Sequence, residues 1–309
     1  GRGDVVSIYA PMMPESVVAM LATIKVSGVA SPIFSGFAPP AVAERIVLAE
    51  SRLLVTVDGY YRRGSIVKLK GSADEAVSLA ESMGVKVERV VVVRRAGVDV
   101  EWVEGRDEWY HDVIKGKRRA PEPEEMDPED PALLLFTSGT TGKPKGAVIS
   151  HAGALLQPSK EHYFNLDIKP FSDDRLWWVT DIGWMMGPWQ VIGVQFLGAR
   201  HLMVEGAIDY PMRGRVWRLI EEYKVTHFGF AATVARMLKR VASDLVDEYD
   251  LSSIRAFGNT GEPIDQPTWM WIMRDVGGEG RPIINLSGGT ELFGCFLLPS
   301  PVVPLKPST

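Results

Sequence analysis

Val5-Val6-Ser7-Ile8-Tyr9 is an apolar run of strand length, and Pro14-Glu15 follows it with two residues suited to a first helical turn. Val17, Leu21 and Ile24 then recur at helical spacing. The pattern predicts a strand followed by a helix, and it repeats. Residues 29–34 read as a strand, 39–50 as a helix, 53–57 as a strand, 73–83 as a helix and 90–93 as a strand. Alternation of this kind implies βαβ units, hence an α/β fold with a parallel-rich sheet flanked by helices.

Between residues 121 and 131 the rhythm breaks. Four prolines and the acidic residues Glu122, Glu124, Glu125, Asp127, Glu129 and Asp130 describe an exposed connector. Beyond it, residues 132–136 look like a buried strand, and the same rhythm resumes. Strands are expected at 176–179, 226–228, 254–257 and 282–286, with helices at 212–223, 234–241 and 267–273. The expected organisation is a first αβ lobe over 1–119, a connector over 120–131 and a second, similar lobe over 132–309.

Composition narrows the function. Lys plus Arg number 34 against 39 Asp plus Glu, a net charge of −5, which argues against nucleic-acid binding through bulk charge. A single cysteine, Cys295, excludes an internal disulfide and a cysteine-cluster metal site, and fits a reducing, cytoplasmic setting. The uncharged stretch 182–199 contains Gly183, Gly187, Gly193, Gly198, Pro188, Gln190 and Gln195, so it reads as a buried loop and helix rather than a membrane span. The five histidines lack metal-ligand spacing, and no Gly-x-Ser-x-Gly is present to suggest a serine hydrolase.

The chemistry is concentrated in Thr137-Ser138-Gly139-Thr140-Thr141-Gly142-Lys143-Pro144-Lys145-Gly146, directly after the strand at 132–136. Glycines let a backbone approach a ligand closely, hydroxyl and N–H groups donate to phosphate oxygens, and two lysines supply charge. A P-loop would need Gly-Lys-Ser/Thr opening a helix; Pro144 follows Lys143 instead. The segment therefore reads as a polyphosphate grip of another kind.

That decapeptide resembles the phosphate-binding loop of the adenylate-forming, AMP-binding superfamily. Gly261-Glu262-Pro263 resembles the family segment lying along the adenosine, and Asn285-Leu286-Ser287-Gly288-Gly289-Thr290-Glu291 resembles the segment ending in Thr-Glu. Within the superfamily, Tyr9 to Glu15, Phe34 to Pro39, Glu104-Gly105-Arg106-Asp107 with Trp109, and Asp181-Ile182-Gly183-Trp184 are similar to the acetyl- and propionyl-CoA synthetase branch. The likeness extends from Gly3 to about Phe293.

The resemblance implies ATP, Mg²⁺ and CoA as cofactors and a small carboxylic acid as partner. It implies that Thr290 meets the α-phosphate, Glu291 holds Mg²⁺, and Thr137 to Lys145 steady the β- and γ-phosphates, with Lys145 contributing to catalysis. It further implies that Arg62, with Arg63 as a second candidate, binds a CoA phosphate. The first lobe is then the CoA side, and the second carries the ATP and acyl sites. Trp184, Met185 and Met186 would wall the acyl pocket together with Gly288. Gly288 stands where acetyl-CoA synthetases carry a tryptophan, so a roomier pocket for a short- to medium-chain acid is expected.

The implied reaction is AMP-forming acyl-CoA synthesis: an acid-thiol ligase passing through acyl-AMP. The family's later aspartate, arginine and lysine-bearing C-terminal domain lie past residue 309, so the chain is expected to be a truncated large domain with little activity alone. Two alternatives stay open at this stage: a catalytically impaired nucleotide- or CoA-binding module, and an adenylate-forming ligase with a non-CoA acceptor.

Overall fold

Strand β1 (Val5–Tyr9) lies at the centre of a seven-stranded sheet in the computed structural model, which describes residues 1–117, 119, 121–137, 142–278 and 280–307. Helix α1 (Pro14–Lys25) starts on Pro14, whose missing N–H and fixed φ suit a first turn, and buries Val17 and Met20. Strand β2 (Val29–Ile33) is buried at all five positions, as a parallel strand covered on both faces should be. Then come α2 (Pro39–Leu48), β3 (Leu53–Val57), the hairpin strands β4 (Tyr60–Arg62) and β5 (Ser65–Val67), α3 (Leu69–Ser82) and β6 (Arg89–Val93).

Strand β7 (Asp107–Trp109), α4 (Tyr110–Ile114), β8 (Pro131–Thr137) and β9 (Lys145–Ser150) complete this part. The sheet order is β7-β6-β3-β1-β2-β8-β9, parallel except for the antiparallel β8–β9 pair. Strands β8 and β9, which follow the acidic connector, thus lie in the sheet of the elements that precede it. Lys70 is wholly buried on α3 and pairs with Asp107 at 2.8 Å and Asp74 at 2.7 Å, while Arg106 holds the other oxygen of Asp107 at 2.6 Å. The Gly105-Arg106-Asp107 motif therefore serves the fold: it ties α3 to the sheet edge.

Helix α5 (His151–Lys160) runs into a π-helical turn, Glu161–Asn165. The second sheet has the order β11-β10-β12-β13-β14 and is wholly parallel. Its elements are β10 (Arg175–Trp178), α6 (Met186–Phe196), β11 (Arg200–His201), α7 (Arg215–Tyr223), β12 (His227–Ala231), α8 (Ala232–Ala242), β13 (Ala256–Thr260), α9 (Gln266–Trp271) and β14 (Ile283–Asn285). Helix α7 shows why such segments settle on a sheet. Val216, Trp217 and Ile220 face the core, while Arg218 and Glu222 pair on the outside. Trp177, Phe228, Phe230, Phe257, Trp217 and Trp271 fill the centre.

A two-stranded ribbon, β15 (Ser287–Gly289) and β16 (Gly294–Leu297), follows β14 directly. By internal contacts the chain forms two units: Gly1–Ala154 with Asp181–Met185, and Leu155–Thr180 with Met186–Thr309. The stretch 182–199 is a loop followed by α6, and among the described residues no helix is long and apolar enough to cross a membrane.

Candidate functional site

In the second unit, β13 and β14 run side by side with Asn259 opposite Asn285. Open parallel sheets bind ligands outside the carboxyl ends of their strands, and three hydrogen bonds organise that end here. Leu286 N–H donates to the Asn259 carbonyl at 2.7 Å, Asn259 Nδ2 to Asn285 Oδ1 at 2.7 Å, and the Thr260 hydroxyl to the Leu286 carbonyl at 2.8 Å. The Gly261-Glu262-Pro263 and Asn285-Leu286 segments, expected to line one nucleotide, are thus brought together.

Gly261 has φ +91°, a conformation that glycine adopts without penalty, and open space lies where a side chain would stand. Glu262 is committed to the protein: its carboxylate accepts from Thr233 N–H at 2.8 Å and from Arg236, which also holds its pKa below the usual range. That pins the turn to the start of α8. Asn259 Oδ1 is buried without a partner among the described residues. An unspent acceptor beside an open glycine turn, at the end of a parallel strand, fits a nucleobase or ribose.

The ribbon that follows carries Ser287, Gly288 and Gly289 on β15, then a 3₁₀ turn, Thr290–Leu292. Phe293 closes the turn in a left-handed conformation, φ 48°, with its ring buried. Thr290 is half-buried and Glu291 exposed, and neither side chain has a hydrogen-bond or ion-pair partner among the described residues. No group of three or more His, Cys, Asp or Glu side chains among the described residues is arranged to hold a metal. One free carboxylate suits Mg²⁺, which keeps most of its waters and is bound through one or two carboxylates together with substrate phosphates.

Gly288 departs from the expectation of spare room. A Cβ there would sit 1.9 Å from the Gly294 carbonyl oxygen and 2.6 Å from Cys295 Cα. The direction in which a side chain would leave is filled by the backbone of β16. Met186, the first residue of α6, is buried in this unit.

In the first unit, β8 and β9 form a hairpin with Thr137 directly opposite Lys145, so the two ends of the glycine- and lysine-bearing loop are joined at its base. Ser138, Gly139, Thr140 and Thr141 lie outside the described residues. Gly142 has φ +81° with open space beside it, and Lys143 and Lys145 are exposed and carry no ion pair among the described residues.

Arg62 and Arg63 stand on the β4–β5 hairpin. Arg62 pairs with Ser65, and the two turn residues, Arg63 at φ 49° and Gly64 at φ 78°, have the positive angles of a tight hairpin turn. Beneath them, buried Asp58 accepts five backbone N–H groups, from Gly59, Arg95, Ala96, Gly97 and Val98, at 2.6 to 3.1 Å. Burial pulls its pKa up, but these N–H groups prevail and hold it below the usual carboxylate range.

Asp181 accepts from the Ser35 hydroxyl at 2.6 Å and from Gly183 N–H at 2.9 Å. Burial pushes its pKa up against those bonds and the charge of Arg62. A Cβ at Gly183 would meet Phe34 N at 2.0 Å, so only glycine lets this loop lie on the end of β2. Trp184 packs against Phe34 and Phe37 yet stays 45% exposed, and Met185 beside it is half-buried. Asp58, Asn259 and Thr260 hold these segments in place and were given no role from the sequence, whereas Asp181 was marked there only as part of the Asp-Ile-Gly-Trp motif.

The whole chain, residues 1–309, matches the family described as AMP-binding enzyme. It is 44% identical over 311 residues to an acetyl-coenzyme A synthetase of Methanothrix soehngenii, covering 100% of this chain and 45% of that protein. It is 40% identical over 310 residues to another of Streptomyces avermitilis, covering 100% of this chain and 47% of that protein. The chain therefore spans less than half the length of these relatives. The solved acetoacetyl-CoA synthetase from Streptomyces lividans superposes with a TM-score of 0.86 at 28% identity, over 98% of this chain and 46% of that one. With its full length matched to the family and its fold shared with that synthetase, the chain belongs to the AMP-binding enzymes.

Proposed function

We propose that the chain is the nucleotide-binding part of an AMP-forming acyl-CoA synthetase acting on a small carboxylic acid. The observation that carries this reading is the Thr260 to Leu286 bond. It joins two nucleotide-lining segments at the carboxyl ends of neighbouring parallel strands, immediately before the turn that presents Thr290 and Glu291.

In the first half-reaction a carboxylate oxygen attacks the α-phosphorus of ATP, the bond to the bridging oxygen breaks, and pyrophosphate leaves. A carboxylate is nucleophilic at neutral pH and needs no general base, so the protein's task is alignment and charge screening. Thr290 donates to the α-phosphate, and Asn285 to Gly289 and Gly261 to Pro263 orient the adenosine. Thr137, Ser138, Gly139, Thr140, Thr141, Gly142, Lys143 and Lys145 take the phosphate tail. Glu291 would hold Mg²⁺, whose charge offsets that of the phosphates when bound. Trp184, Met185 and Met186 wall the acyl group. In the second half-reaction the CoA sulfur attacks the acyl carbonyl and AMP leaves, with Arg62 and Arg63 taking a CoA phosphate. The reading carries a cytoplasmic setting, where ATP and CoA are found.

Calorimetric titration with MgATP, followed by pyrophosphate exchange with propionate, butyrate and longer acids, tests this. Saturable MgATP binding is expected, together with acid-dependent exchange. Absence of ATP binding overturns the reading, and binding without any exchange favours a module that binds nucleotide and no longer catalyses. Arg62→Ala should abolish CoA dependence while leaving acyl-AMP formation intact; if thioester formation is unchanged, the CoA assignment is wrong.

A further inference from the structure

Glu161 opens the π-helical turn after α5 and is only 1% exposed. Three N–H donors converge on its carboxylate. Gln157 Nε2 and the backbone N–H of Cys295 reach one oxygen at 2.7 Å each, and the Trp189 indole reaches the other at 2.8 Å. All three donors are neutral, no Lys or Arg forms an ion pair with Glu161 among the described residues, and burial raises its pKa against the three bonds. A buried carboxylate without a cation is costly to keep, and only an ionised carboxylate can accept from all three donors without presenting one of its own.

One of those donors lies far away in the chain. Cys295 is on β16, opposite Gly288, and the two strands are joined by the turn that carries Thr290 and Glu291. The neighbouring Gly294 leaves no space for a side chain, since a Cβ there would fall 2.6 Å from Gln157 and 2.7 Å from Glu161. Asn165, at the end of the same π-helical turn, donates through Nδ2 to the carbonyls of Leu298 and Pro299 at 3.1 and 3.0 Å. The turn therefore grips β16 at its start and just past its end. An isolated two-stranded ribbon is marginal by itself, so this external grip decides how steadily the turn is held.

We propose that Glu161 is a positioning residue for the Thr290–Glu291 turn, setting the metal-binding carboxylate through its bond to Cys295 N–H. This rests on the reading of Glu291 given above. Glu161 touches neither nucleotide nor acid in this scheme and acts only through β16. Glu161→Gln keeps the volume but sets an N–H₂ group against a converging N–H.

The test is ATP binding by calorimetry, with and without Mg²⁺, on the wild-type chain, Glu161→Gln and Asn165→Ala, with circular dichroism melts recording folding. The Mg²⁺ concentration for half-maximal enhancement of ATP binding should rise roughly 10- to 100-fold in Glu161→Gln, as for residues that orient a metal ligand. It should rise by a smaller factor in Asn165→Ala, and ATP binding in EDTA, which Thr290 on the same turn also serves, should weaken in both by less than the Mg²⁺ dependence shifts. A folded Glu161→Gln with wild-type Mg²⁺ dependence overturns the proposal. If that variant does not fold, Asn165→Ala decides alone, and wild-type Mg²⁺ dependence there overturns it. A wild-type chain that binds no MgATP overturns the underlying reading, and the proposal with it, a result distinct from a silent variant.

Discussion

The Thr260 hydroxyl donates to the Leu286 carbonyl at 2.8 Å, joining the Gly-Glu-Pro turn to the segment that leads into the Thr290–Glu291 turn. Thr260→Val keeps the shape and removes the donor. A single neutral hydrogen bond contributes about 1 kcal/mol to stability, so the melting temperature should fall by about 2 °C and ATP affinity by at most about fivefold. Calorimetric titration checks this; unchanged affinity would mean the two segments are aligned by the strands alone.

Gly288 faces the carbonyl of Gly294, not an open pocket. Gly288→Ala should destabilise the ribbon by about 2 kcal/mol through overpacking, and Gly288→Trp by more. On sequence grounds the tryptophan would narrow the acyl pocket toward acetate. In this chain the backbone of β16 fills that direction, so the first effect should be a lower melting temperature, measurable by thermal melts before any change in acid preference is scored.

His162 and His227 are buried, and burial holds their pKa values down, to about 3 and about 4 respectively, against the ordinary 6.5. Below pH 6.5 the unfolded chain takes up protons that the folded chain refuses. Stability is therefore complete above pH 6.5 and is lost as pH falls toward about 4. The slope per group is half of about 1.4 kcal/mol per pH unit at pH 6.5 and approaches that full value below it, so the pair should remove about 3 kcal/mol between pH 6.5 and 5. Urea denaturation across that range measures the slope, which His227→Gln should roughly halve.

Asp58 satisfies five N–H groups with one buried carboxylate. Asp58→Asn turns a charged acceptor into a half-donor facing other donors, and should cost about 3 kcal/mol. Urea titration checks this. A wild-type midpoint would show that the loop finds other acceptors.

The parallel strands are legible in the sequence because burial on both faces makes them short, continuous apolar runs, as in 29–33 and 53–57. Strand β7 is not, since Asp107-Glu108-Trp109 has no such run and is held by backbone pairing and the Lys70 ion pair. The β15–β16 ribbon hides for a similar reason, its first strand being Ser-Gly-Gly. The candidate site divides along the same line. Contiguous motifs carrying Lys145, Gly261 and Glu291 can be read directly. The roles of Asp58 and Glu161 depend on donors 37 to 40 and 134 residues away, and become visible only when the chain has folded.

The successive amides from Arg95 to Val98 form a concave nest of the kind that elsewhere receives a phosphate or sulfate, and here the protein has placed its own anion inside. The cup is therefore plugged against external oxyanions, although Arg94 and Arg95 border it. Emptied by Asp58→Gly, it would become a receptor, and sulfate should restore part of the lost stability in that variant while doing far less for the unaltered chain.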